Sequence, residues 1–336
     1  MKPVRVLIVD DSATMRALLR HAVAADPGVE IVGEAADTAD ARAKIKALDP
    51  DVVTLDVEMP GMNGLEFLDK IMRLRPTPVI MVSNLTSPGA AASIAALELG
   101  AFDCLAKPGG AGDTFEALPA LLRQAAATKP RLASAVRPGR AASPSPLPAR
   151  HGGWPDLIAI GSSTGGVEVL IALLSEFPKD CPPTLIVQHL PSSFTQPFAA
   201  RLDRACPAKV GEARSGDPLL PGHVYLAKGG RHLTLAPSRP ALLLRDGEPV
   251  QGHRPSVDVL FRSVAQNFDG RATGVILTGM GRDGAEGLLA MRRRGAKTLA
   301  QDEASSLVYG MPRVAFESGA AERQVPLGRM AREIFG

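Results

Sequence analysis

The sequence predicts two doubly wound, mainly parallel α/β units joined by a tether. Three observations support this. Short β-branched apolar runs without polar alternation, the mark of strands buried on both faces, alternate with helix-patterned segments. The alternation breaks once, at a stretch rich in Pro, Ala, Ser and Arg, and then resumes. A length of 336 residues with 45% apolar content suits two ordinary cores.

In the first half, Val4–Val9 reads as a buried strand that runs into Asp10-Asp11-Ser12. Ser12 is a good N-cap for a helix with Met15, Leu18, Leu19 and Val23 on one face. Val29–Val32, Val52–Leu55, Val79–Val82 and Phe102–Leu105 repeat the strand pattern, with a helical Ala39–Leu48 between the second and third. Thr114–Ala127 reads as a last helix, with Phe115, Leu118, Leu121 and Leu122 facing inward.

Sites in such sheets sit at the carboxyl ends of the strands. Those ends carry Asp10 and Asp11, then Asp56, Ser83 and Lys107. Three converging carboxylates repel unless a cation joins them, and a hard oxygen-liganded ion such as Mg²⁺ suits them. One carboxylate could then attack a phosphoryl group while the metal and Lys107 neutralise its oxygens. Val9-Asp10-Asp11, the segment Leu55–Gly64 and Ala106-Lys107-Pro108 together resemble the flavodoxin-like receiver domain of two-component response regulators. The resemblance implies that Asp56 is phosphorylated and that Asp10 and Asp11 form the acidic pocket. It implies that Asp11, Asp56 and the Glu58 carbonyl ligate Mg²⁺, that Ser83 is the switch hydroxyl, and that Lys107 is the phosphate partner. Many receivers carry a switch aromatic where this chain has Cys104.

We expect the receiver to span residues 1–127, a linker 128–153 and a catalytic domain 154–336. The linker sequence KPRLASAVRPGRAASPSPLPARHGG lacks the apolar residues to build a core.

In the second half, Leu157–Ile160 reads as a strand, Gly165–Phe177 as a helix and Thr184–Val187 as a strand ending in Gln188-His189. Phe198–Ala205 is helical, and Val210 to Leu244 reads as short strands and turns. Val257–Phe268 is a helix with Asp258, Arg262 and Gln266 on its polar side. Gly274–Leu277 is a strand before the loop Thr278–Gly284, Ala285–Arg294 a helix and Lys297–Ala300 a strand. Arg292-Arg293-Arg294 closes its helix, where cations favour the C-terminal dipole.

The run LIAIGSSTGG, Leu157–Gly166, can hold an anion on a helix N-terminus or expose a nucleophile beside free N–H groups. Its strand neighbours favour the second use. Ser162, Ser163 and Thr164 lie on one carboxyl-end turn, His189 on the next strand end and Asp283 on a glycine-rich loop. A serine nucleophile needs an imidazole to take its proton, and the imidazole needs a carboxylate to fix its tautomer. Singly, Ser163 and Asp283 could be helix caps and His189 a turn residue. A nucleotide-binding turn would want an acid at the end of the next strand and G-x-G-x-x-G spacing, and neither is present.

IAIGSSTGG, QHLPSSFTQPFA, HRPSVDVLF, ILTGMGRDGAEGL and QDEASSLVYGMP resemble the catalytic domain of the CheB family of chemotaxis protein-glutamate methylesterases. A receiver tethered to this domain is that family's architecture. The resemblance implies hydrolysis of glutamate γ-methyl esters on chemoreceptors with release of methanol, and deamidation of receptor glutamines. It implies a nucleophile at Ser163, a base at His189, an orienting carboxylate at Asp283 and no cofactor for the ester chemistry. Backbone N–H groups of Thr164 and Met280 are candidate oxyanion donors. Ser162 stands where the family often has alanine. The partners implied are methyl-accepting chemoreceptors as substrate and the chemotaxis histidine kinase as phosphodonor.

Composition agrees with this reading. Lys+Arg 38 against Asp+Glu 35, net charge +3, does not suggest a nucleic-acid partner. The 3 scattered cysteines show neither metal spacing nor a disulfide framework, which fits a reducing compartment. No signal peptide or membrane-inserting stretch stands out, so a cytoplasmic location is expected. The alternatives are a DNA-binding response regulator, which needs a helix-turn-helix with a basic face, and a nucleotide-binding module without esterase activity.

Overall fold

The computed structural model describes residues 2–59, 61–84, 87–108, 115–135, 153–237 and 241–336. The chain divides into two compact units, Met1–Ala141 and Ala142–Gly336.

The first unit runs β1 (Val4–Val9), α1 (Ala13–Val23), β2 (Val29–Ala35), α2 (Thr38–Leu48), β3 (Val52–Asp56), α3 (Gly64–Leu74), β4 (Val79–Ser83), α4 (Ser87–Glu98), β5 (Asp103–Ala106) and α5 (Leu118–Ala135). The strands form one sheet in the order β2-β1-β3-β4-β5, every neighbouring pair parallel. The order reverses at β1, so the ends of β1 and β3 flank the crevice where ligands bind such sheets. β3 and β4 are buried along their whole length, as their unbroken apolar runs require. Side-chain caps start three helices: Ser12 accepts from Met15 N, Asp37 from Asp40 N and Asn63 from Glu66 N.

Two expectations need correction here. Leu18 is 43% exposed; α1 buries Leu19 and Val23. The last helix begins at Leu118 rather than 114 and continues to Ala135, so residues 128–135, expected as the start of the linker, are helical. Strong helix formers in AAATK and LASA carry the pattern onward. Phe115, Leu118, Leu121 and Leu122 are all buried, as expected. Thr114 and the remaining linker positions 136–152 lie outside the described residues.

The second unit runs β6 (Leu157–Ser162), α6 (Gly166–Ser175), β7 (Thr184–Gln188), α7 (Ser192–Ala205), β8 (Lys209–Glu212), β9 (His223–Leu226), β10 (His232–Leu235), β11 (Leu242–Arg245), α8 (Val257–Asn267), β12 (Ala272–Ile276), α9 (Ala285–Arg293), β13 (Lys297–Gln301), α10 (Met311–Glu317), β14 (Arg323–Val325) and α11 (Leu327–Phe335). Its main sheet has seven strands in the order β14-β13-β12-β6-β7-β9-β8, all pairs parallel. β10 and β11 form a separate antiparallel pair. β6 is central, with later strands added on both sides, so its carboxyl end opens on the switch crevice.

α7 starts six residues before the expected Phe198, at Ser192, and runs through Pro197. α10, β14 and α11 follow beyond the strands expected. α11 buries Met330, Ala331, Ile334 and Phe335. The Phe335 ring lies 5.0 Å from both Trp154 and Phe177, tilted against one and edge-on to the other, so the last helix of the second unit packs on the residues that open that unit. Asp258 is not on a polar face: it is fully buried at the start of α8, where it accepts a 2.6 Å bond from Gly287 N on α9. Arg292 and Arg293 end α9 as expected, and Arg292 donates to the Gly319 carbonyl.

Candidate active site and phosphoacceptor pocket

The position of the Ser163 turn follows from strand register. β6 pairs β7 with Ser162 opposite Gln188, so the next residues out, Ser163 and His189, leave adjacent strand ends. His189 N donates to Ser162 O at 3.1 Å, and Ser163 N donates to Thr278 O at 3.0 Å, which ties the turn to the end of β12. The glycines after Ser163-Thr164 are structural requirements. Gly165 caps α6 at φ 78°, a left-handed conformation that disfavours any Cβ. A Cβ at Gly166 would stand 2.0 Å from Gln188 Oε1.

Gln188 explains that close approach. Its buried amide donates to Ser163 O at 2.8 Å and to His189 O at 3.3 Å, so one side chain joins both loops. Ser162 Oγ donates to Gln188 Oε1 at 2.6 Å and thereby fixes which way the amide points. Ser162→Ala leaves that buried oxygen without its donor and is expected to cost about 1–3 kcal/mol of stability, read in a melting experiment, while turnover persists.

His189 and Asp283 meet. His189 Nε2 lies 2.8 Å from Asp283 Oδ2, with side-chain exposures of 7% and 0%. Asp283 also accepts from Val257 N at 2.7 Å, Ser256 Oγ at 2.8 Å and Asp258 N at 3.0 Å. The start of α8 thus aims its free donors at this carboxylate. Burial pushes the Asp283 carboxyl up, but the His189 bond and charge with the Asp258 and Ser256 donors outweigh it, and the group lies below its ordinary value. An ionised acceptor at Nε2 requires the proton on Nε2, which leaves Nδ1 with a lone pair. Nδ1 is buried and has no hydrogen-bond partner. Ser163 is 7% exposed and is not bonded to it.

The loop after β12 presses on the serine: a Cβ at Gly279 would fall 2.8 Å from Ser163 Cβ. This loop carries Met280 and is strapped by Gly279 N to Val308 O at 3.0 Å and Met311 N to Gly279 O at 2.8 Å. Thr278 Oγ1 donates to Thr164 O at 3.0 Å, and Gln301 Oε1 accepts from Thr278 N at 2.8 Å. Sequence reasoning missed Gln188, Thr278, Ser256, Gln301 and His253 as site residues, although each lies in or beside a motif that carried the resemblance.

In the first unit, Asp10, Asp11 and Asp56 offer carboxylate oxygens within 4.8 Å of one another. Lys107 Nζ stands 2.7 Å from Asp56 Oδ2 and 3.2 Å from Asp10 Oδ2. Asp10 Oδ2 has that ion-pair contact but no directed hydrogen bond, although it is fully buried. Burial and the Asp10 charge outweigh Lys107 and hold the Asp56 carboxyl above its ordinary value. A crowded, under-bonded carboxylate set of this kind fits a hard divalent cation. Ser83 is buried and donates to the Asn84 and Gly89 carbonyls at 3.2 and 3.3 Å, and Glu58 N donates to Asp56 Oδ1 at 3.2 Å. Cys104 Sγ contacts Ser93 O at 3.5 Å, and burial with the Asp103 charge pushes its thiol well above the ordinary value.

These units define a class: a response regulator whose output unit is an enzyme-type parallel α/β domain. The CheB methylesterase family model matches residues 158–334, and the response regulator receiver domain model matches residues 6–118. The chain belongs to the CheB methylesterase family. A relative in Caulobacter vibrioides, named protein-glutamate methylesterase/protein-glutamine glutaminase 1, is 57% identical over 99% of this chain and 98% of its own length. One in Agrobacterium fabrum, named protein-glutamate methylesterase/protein-glutamine glutaminase, is 57% identical over 98% of this chain and 95% of its own. The crystal structure of the Thermotoga maritima CheB methylesterase catalytic domain is 34% identical with a TM-score of 0.52, covering 53% of this chain and 96% of that one. Among the described residues, no helix is long and apolar enough to cross a membrane.

Proposed function

We propose that this chain hydrolyses glutamate γ-methyl esters on methyl-accepting chemoreceptors, deamidates receptor glutamines, and is switched by phosphorylation of Asp56. The observation that carries the reading is the buried His189–Asp283 pair with Nδ1 free, one strand from Ser163.

Ser163 Oγ attacks the ester carbonyl once substrate brings hydroxyl and imidazole into reach, and His189 Nδ1 takes the proton. Asp283 holds the Nε2 proton and stabilises the imidazolium. The serine–imidazole contact therefore uses Nδ1, since Nε2 is committed to the carboxylate. Backbone N–H groups of Thr164 and Met280 receive the oxyanion, each worth about 2.7–4 kcal/mol. His189 returns the proton to departing methanol, and water then hydrolyses the acyl-serine. A glutamine substrate gives the same acyl intermediate with ammonia leaving.

Asp56 is the phosphoacceptor, served by the chemotaxis histidine kinase, and Lys107 pairs with the incoming phosphoryl oxygens. Asp11, Asp56 and the Glu58 carbonyl would hold Mg²⁺, with Asp10 completing the acidic pocket. That ion supplies charge neutralisation at the phosphoryl oxygens. Ser83 is the switch hydroxyl. The receiver spans residues 1–127, the linker 128–153 and the catalytic domain 154–336.

Methanol release from methylated receptor, with and without a small phosphodonor, tests the function. Release that rises with phosphodonor is expected; no release from methylated receptor removes the reading. Asp56→Asn is expected to keep the basal rate and lose the phosphodonor response. A preserved response in that variant would move the phosphorylation site elsewhere.

A further inference from the structure

His253 lies face to face on His189, with ring centroids 3.7 Å apart and planes 9° apart. Aromatic pairs ordinarily prefer offset or edge-on contacts about 4.5–7 Å apart, so a close parallel stack needs a structural cause. The chain supplies one. Val250 and His253 exchange two backbone hydrogen bonds of 3.0 Å, closing a two-residue turn with Gln251 at φ 54° and Gly252 at φ 80°. Gly230 N donates to Arg254 O at 3.0 Å, and Ser256 N donates to His232 Nδ1 at 3.2 Å. The same segment then delivers Ser256, Val257 and Asp258 to the Asp283 carboxylate. Residues 253–258 therefore hold one face of the imidazole and, a few residues on, the acid at its Nε2.

We propose that His253 is a positioning residue for His189: its stacked ring keeps the imidazole in the plane that joins Asp283, and offers a π face to the imidazolium formed when Ser163 loses its proton. The proposal rests on the roles given above to Ser163, His189 and Asp283. A cation over an aromatic face is stabilised, whereas two stacked imidazolium rings repel. His253 suits the first arrangement. Burial and the neighbouring His189 push its pKa down to about 4 against the opposing pull of Asp283, so it is neutral at pH 7. A stack that acts on the charged intermediate alters kcat and leaves ester binding alone.

The test compares His253→Leu and His253→Phe in the full chain, with methylated receptor as substrate and Ser163→Ala in parallel. Leucine fills the volume without a π face; phenylalanine keeps a neutral ring. His253→Leu is expected to lower kcat about tenfold with KM unchanged, and His253→Phe to restore kcat to within about threefold of wild type. A wild-type kcat in His253→Leu overturns the proposal. So does an equal kcat loss in both variants, because the imidazole nitrogens, which neither variant has, would then be what matters. If His253→Leu fails to fold, His253→Gln carries the same comparison. Full turnover in Ser163→Ala would overturn the site reading and this proposal with it. A dead Ser163→Ala beside a fully active His253→Leu would overturn only the stack.

Discussion

Ser163→Ala is expected to lower kcat for methanol release by about 10⁶, with the fold and receptor binding intact. A serine hydrolase without its nucleophilic oxygen keeps only oxyanion stabilisation and substrate positioning, and losses of this order follow. The fold is expected to survive because Ser163 holds its turn through backbone atoms. Its N–H donates to Thr278 O, and its carbonyl accepts from Gly166 N and Gln188 Nε2. Alanine keeps all three bonds. The measurement is single-turnover methanol release from methylated receptor, beside a thermal melt. Wild-type release from the alanine variant would strike Ser163 from the mechanism.

Asp283→Asn is expected to lower kcat about 10⁴-fold and also to destabilise the second unit. The two losses share one cause. Four donors converge on this carboxylate: His189 Nε2 and Val257 N at Oδ2, Ser256 Oγ and Asp258 N at Oδ1. An asparagine must place its own NH₂ at one of the two positions. At Oδ2 it faces the Val257 N–H and forces His189 to present a bare Nε2, which moves the proton to Nδ1 and removes the base. At Oδ1 it faces the Asp258 N–H. Either placement leaves a buried donor unpaired, at about 1–3 kcal/mol. The pH dependence has a definite sign. The wild-type carboxyl lies below its ordinary value of 3.8, so its stabilisation is present above that pH and is lost as pH falls through the lower folded value. The asparagine variant lacks this contribution. Its melting temperature should fall below wild type at pH 7, with the gap narrowing under acid. A gap that widened below pH 4 would contradict the assignment of an ionised Asp283.

The doubly wound class and most strand positions were legible because buried parallel strands have an unambiguous composition; the order of the strands in each sheet came from the structure. Leu157–Ile160 or Val79–Val82 can hardly lie anywhere but inside a sheet. Ser163, His189 and Asp283 stood out as candidates because carboxyl-end loops collect function, and the register of β6 with β7 puts the first two on adjacent strand ends. The errors came from elements whose burial is set by distant partners. Asp258 reads as polar surface until α9 is laid against α8. Leu18 reads as core until α1 is seen to bury its next neighbour instead. α11 is short, and its apolar face acquires a purpose only where Phe335 reaches Trp154 and Phe177.

Local pattern was thus enough to specify two parallel α/β units, an acidic pocket at the edge of the first sheet and the three loops from which a nucleophile, a base and an acid could come. Periodicity and turn chemistry are properties of neighbouring residues, so the linear chain already contains them. Folding alone chose which imidazole nitrogen faces Asp283, oriented Gln188 across two loops and laid His253 on His189. Those choices depend on hydrogen-bond geometry between segments up to 94 residues apart, and that geometry arises only when the sheet brings its strand ends together.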